Sequence, residues 1–121
     1  MSNNQKVFDF EDRAVKFCKA VIEFCRALNR DNINQILVNQ IVRSASSIGA
    51  NYCEANEAVY LNDLIHKLSI SKKEARETKY WLRVIIEVNG KNIIEARQLW
   101  TEADELTKIL AAMIRNAQAK K

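Results

Sequence analysis

Lys72, Arg76, Lys79 and Arg83 recur at steps of four, three and four. On an α-helix that spacing gathers four cations on one face. Such a row can follow a phosphate backbone, because each neutralised phosphate releases a condensed counterion. Tyr80 and Trp81 stand beside the row and offer aromatic faces on which bases can stack. RNA or DNA is therefore a candidate partner. The same row also fits a solvated face paired with Glu54, Glu57, Glu74, Glu77 or Glu87. Ion-paired helix faces are the commoner arrangement.

No other set of residues assembles a reaction centre. A di-metal carboxylate site in a helical bundle needs glutamates from several helices and two Glu-x-x-His pairs. The chain has one histidine, His66, with no glutamate three residues before it. Zinc catalysis lacks its ligands for the same reason. Ser/His/Asp hydrolysis would need His66 and a serine on a strained strand-to-helix turn, and the serines here lie within helical pattern. Gly49 and Gly90 stand alone, so no phosphate-cradling loop exists. Glu74 and Glu77, flanked by Lys73 and Arg76, read as a salt-bridged face. Cys18, Cys25 and Cys53 are odd in number and lack a Cys-x-x-Cys spacing, which argues against a disulfide framework or a structural metal. They read as reduced, largely buried thiols. The expectation is no enzyme, no catalytic residue, no cofactor, no metal and no small-molecule substrate.

The elements that position these residues follow from composition and periodicity. Among 121 residues there is no proline and there are two glycines. Sheets of this length need more turn chemistry than that, so the chain is read as all-α. A net charge of +4 is mildly basic, compatible with nucleic acid and with an ordinary surface. Met1-Ser2-Asn3-Asn4-Gln5 carries no signal-peptide pattern, and no window of ~18 apolar residues exists. No membrane is expected, and the cytoplasm is the expected location.

Four helices are expected, at about 9–29, 33–57, 62–89 and 93–116, within a single domain spanning 1–121. The first carries Ala14, Phe17, Cys18, Val21, Ile22, Cys25 and Leu28 at three- and four-residue steps. The second has a seam of Val38, Ile41, Ala45, Ile48, Tyr52, Ala55 and Val59, a heptad rhythm. Gly49 interrupts it at about 1 kcal/mol of helix propensity. Close approach by a third helix, or by another subunit, would offset that cost. The third helix has a seam of Leu61, Leu64, Leu68, Ser71, Ala75, Thr78, Leu82 and Ile85. Its small middle suits the small residues around Gly49. Trp81, Val84 and Val88 form a second apolar strip on this helix, which suggests a subunit interface. The fourth helix carries Ile93, Ala96, Leu99, Trp100, Ala103, Leu106, Ile109, Leu110, Met113 and Ile114, and the chain is expected to fray from Ala117. Asp31 or Asn32 should cap the second helix, Gly90 should end the third and Asn92 should cap the fourth. Short connections imply an antiparallel up-down-up-down four-helix bundle.

Two blocks carry a family likeness. Gln40-Ile41-x-Arg43-Ser44-Ala45-x-Ser47-Ile48-x-Ala50-Asn51-x-x-Glu54-Ala55 is the first. Lys72-x-Glu74-Ala75-x-Glu77-Thr78-x-Tyr80-Trp81-Leu82 is the second, and Phe8 and Phe10 match an aromatic start. In order and spacing the chain resembles the bacterial four-helix-bundle family often encoded within 23S rRNA intervening sequences. The resemblance implies an antiparallel bundle that assembles as a homopentamer, with no assigned reaction. A related branch is the accessory variability protein of diversity-generating retroelements, which is basic, binds nucleic acid and partners a reverse transcriptase. Carried over, that activity would use Lys72, Arg76, Lys79 and Arg83. The leading reading is a non-enzymatic oligomer acting through nucleic acid or a protein partner. A purely structural or protein-interaction oligomer is the alternative. Tyr60 stands where many members have a capping serine, and Asn62 is expected to take that role.

Overall fold

The computed structural model describes residues 9–121, so Phe8 lies outside the described residues. Four helices follow in order: α1 Phe10–Arg26, α2 Asn32–Asn56, α3 Leu61–Asn89 and α4 Ile93–Gln118. Each helix packs on its sequence neighbours, and α4 closes the ring on α1. With short connections this is an antiparallel up-down-up-down bundle. The heavy packing is α2 on α3 and α3 on α4, and α1 is the more lightly held. No strand occurs among the described residues.

Local chemistry explains the boundaries. Asp9 caps α1 by accepting from the Asp12 N–H at 3.2 Å. Asp31 caps α2 by accepting from the Asn34 N–H at 2.8 Å. These side chains satisfy N–H groups that a helix start leaves without partners. Helix α1 stops at Arg26, earlier than its apolar pattern. Ala27 and Leu28 donate to Phe24 and Cys25 carbonyls three residues back, which tightens the last turn and tucks Leu28 into the core. At the far end of α2, Val59 lies beyond the helix and is 86% exposed, so it leaves the expected seam.

One cap expectation holds and two are corrected. Gly90 does end α3, with φ +64° and its N–H on the Ile86 carbonyl at 2.8 Å. Asn92 flanks α4 but makes no side-chain cap bond, because its own backbone is left-handed, φ +56°. Side-chain capping normally needs an extended residue at that position. Neither does Asn62 cap α3. It lies inside the helix, and Tyr60 precedes it without a side-chain bond. The expected fraying from Ala117 is also overturned: α4 runs to Gln118 and Ala117 is buried.

The core follows the seams. Val21, Ile41, Ile48, Leu82, Ile85, Leu106 and Leu110 are fully enclosed. Between α2 and α3 the small residues meet as their spacing suggests. Ser44 Oγ and Thr78 Oγ1 lie 2.8 Å apart, and Ser71 Oγ donates to the Ile48 carbonyl at 2.7 Å. Each buried hydroxyl thus has a partner, without which burial would cost about 1–3 kcal/mol. At one end Asn34 and Asn89 exchange amide bonds of 2.9 and 3.0 Å. The helix facing Gly49, however, is α1 and not α3. A Cβ at position 49 would stand 3.2 Å from the Ala14 Cβ. Arg13 holds α1 to α4 through a two-pronged pair with Glu102 at 2.6 and 2.8 Å.

Candidate functional site

Helix α3 has a buried ridge, Leu68, Ser71, Ala75, Thr78, Leu82 and Ile85, with a different flank on each side. One flank meets α4 and carries Lys72, Arg76, Lys79 and Arg83. The other meets α2 and carries Glu74, Glu77 and Trp81.

The four cations share their flank but not their surroundings. Lys79 is bound: its Nζ donates to Asp104 Oδ1 at 2.9 Å and stands 5.0 Å from the centre of the Trp100 ring. Lys108 holds the other oxygen of Asp104 at 3.1 Å. Hydrogen bonding from Lys79, then from Lys108, keeps the Asp104 carboxyl below the usual carboxylate range. Lys72, Arg76 and Arg83 make no ion pair among the described residues, and both arginines are exposed. Of the five carboxylates expected to neutralise them, Glu54, Glu74 and Glu77 are engaged elsewhere, whereas Glu57 makes no ion pair among the described residues and Glu87 lies beside Arg83 without pairing with it. Arg43 of α2 takes both Glu74, at 3.2 Å, and Glu77. Lys67 takes Glu54 at 2.6 Å.

Beside Arg83 the α3–α4 seam opens into a hollow of about 380 Å³ lined by Arg83, Ile86, Glu87, Arg97 and Trp100. Sequence reading missed Arg97 and Trp100. Its spacing places Trp100 on the apolar stripe of α4, and there it is partly buried against the core. No periodicity reports that its seam faces the free arginines of α3.

On the α2 flank, Trp81 is partly buried against the core. Its indole N–H donates to Glu77 at 2.9 Å, and Tyr80 meets its ring edge-on at 5.1 Å. Val84 is also partly buried, whereas Val88 is 54% exposed. Val88 lines one hollow with Ile33, which is 57% exposed, and Ile36 is 58% exposed. Ile33 and Ile36 fall off the α2 seam, and that was the available signal for them.

A hollow of about 580 Å³ lies between α1 and α2 and includes Gly49, Ala14, Cys18 and Cys53. Burial raises all three thiols, Cys25 to about 11, so none is poised as a nucleophile. At Cys53 a hydrogen bond with Glu11 adds to the rise. His66 lies in an exposed hollow with Cys53, Glu57 and Asp63, and no group of three or more such side chains among the described residues could hold a metal ion. No helix among them is long and apolar enough to cross a membrane.

Residues 6–112 match the family described as 23S rRNA-intervening sequence protein. Among solved structures, the chain is similar to a protein of unknown function from the S23 ribosomal protein family of Bacteroides thetaiotaomicron. The two are 32% identical with a TM-score of 0.79, over 86% of this chain and 96% of that one. A comparison with curated proteins finds no significant match.

Proposed function

The chain belongs to the 23S rRNA-intervening sequence protein family, and we propose that it is a non-enzymatic cytoplasmic oligomer that binds nucleic acid through the α4-facing flank of α3. The carrying observation is that Lys72, Arg76 and Arg83 have no ion pair among the described residues while Glu74 and Glu77 turn to Arg43. A row of cations without counter-charges is an electrostatic footprint for phosphates. The resemblance implies a homopentamer, and five copies at +4 would carry about +20. The exposed side chains Ile33, Ile36 and Val88 support a contact between copies.

Labelled oligonucleotides test this by fluorescence anisotropy at ~50 and ~200 mM salt, the range over which phosphate-driven affinity falls by orders of magnitude. Lys72→Glu with Arg76→Glu should weaken binding to all sequences alike. These positions are better probes than Lys79, whose replacement would also strand Asp104. Absence of binding at low salt, or indifference to the charge reversals, rejects the reading. A purely structural or protein-interaction oligomer then becomes the better account, and the Lys79–Asp104 pair favours it, because one cation of the row is already spent.

A further inference from the structure

We infer that the hollow between Arg83, Arg97 and Trp100 is a single-nucleotide subsite that makes single strands the preferred ligand, a step that rests on the nucleic-acid reading above. Arg83 comes from α3 and Arg97 from α4, and both line the same 380 Å³ hollow. That volume is near the small end of ligand pockets, roughly 300–1,000 Å³. Both guanidinium groups are exposed and neither has an ion pair among the described residues, although Glu87 also lines the hollow. Two cations lining one hollow outnumber the single carboxylate there, Glu87, and an added anion would reduce their mutual repulsion. Trp100 and Ile86 line the same hollow.

This arrangement offers two cationic hydrogen-bond donors for an anion and an apolar, aromatic wall. A carboxylate-rich peptide would satisfy the guanidinium groups but would set its charged side chains against the indole. A nucleotide strand supplies both kinds of surface, phosphates for the arginines and a flat base for the wall. Lys79 stands over one face of the Trp100 ring and is itself held by Asp104, which leaves only the other face for a base. A duplex keeps its bases stacked inside and can use only the arginines.

The test compares three labelled ligands of equal length: oligothymidylate, an abasic deoxyribose-phosphate strand, and a duplex. Full-length protein is titrated by anisotropy at low salt. Oligothymidylate should bind more tightly than the abasic strand by roughly 5- to 100-fold, the range for one or more base–aromatic stacks. Trp100→Leu should remove that advantage, and Trp81→Phe should keep it. Arg83→Gln with Arg97→Gln should weaken both strands and reduce the salt slope on single strands by about 1.4. If Trp100→Leu fails to fold, the abasic comparison and the surface arginine pair still decide. Equal affinity for oligothymidylate and the abasic strand overturns the subsite while leaving phosphate binding intact, as does an advantage that survives Trp100→Leu. Binding of no strand at all rejects both the subsite and the broader reading. Competition by polyglutamate as effective as by oligothymidylate assigns the hollow to acidic peptides instead.

Discussion

Lys79 and Arg83 are one turn apart on α3, yet their charges are used differently. Lys79 is tied to Asp104, and Arg83 is exposed beside a hollow and makes no ion pair among the described residues. Asp104 is held below the ordinary 3.8 of an aspartate by Lys79 and Lys108. A carboxyl lowered by folding contributes stability above its ordinary range, and that contribution is lost as pH falls through the lowered value. Asp104→Asn should therefore lower the melting temperature at pH 7, and the gap should close on acidification below pH ~3.8. Melts followed by circular dichroism across pH 2–7 read this directly. A gap that stays constant down to pH 2 would show that the pair contributes nothing through charge.

Among the elements, α1 is the most lightly packed, and it meets α2 closely at Gly49. Gly49 admits α1 at Ala14, where an added Cβ would sit at 3.2 Å, tighter than ordinary contact. Two effects oppose each other in Gly49→Ala. Helix propensity gains about 1 kcal/mol, while pushing α1 away by a few tenths of an ångström costs a similar amount. The single change should leave stability nearly unaltered. In an Ala14→Gly background the clash is gone, so the same change should stabilise by about 1 kcal/mol. Denaturant midpoints of the four proteins give the coupling. Equal effects of Gly49→Ala in both backgrounds would mean that the contact with Ala14 does not govern how α1 is seated.

At the scale of the whole molecule, the question is which surface another copy would cover. Trp81 is a poor probe of it, because Trp81 is partly buried within its own bundle and its loss would also destabilise the fold. Val88 is more than half exposed and shares a hollow with Ile33. Val88→Asp should leave the helical signal intact and shift the particle toward monomer in light scattering, since a buried unpaired carboxylate at a contact is costly. A wild-type chain that is monomeric at micromolar concentration removes the premise. An oligomer that is unaffected by Val88→Asp places the contact elsewhere on the bundle.

Four helices, their order and most of their ends were determined by the sequence itself. Three- and four-residue apolar steps, the absence of proline and the Asn89-Gly90 break are local signals, and helix formation reads them locally. The facing small residues Ser71, Ala75 and Thr78 were legible for the same reason, since a shared seam has only one inside. Caps were less legible: Asn92 has a capping side chain but takes a left-handed backbone. Only the tertiary structure decided which partner each surface charge would take. Arg43 reaches Glu74 and Glu77 across more than thirty residues, Lys79 reaches Asp104, and Arg83, Arg97 and Trp100 converge on one hollow. Periodicity places a side chain around its own helix axis. Its neighbour depends on the rotation and axial register of a second helix, and those are set by how the cores interlock.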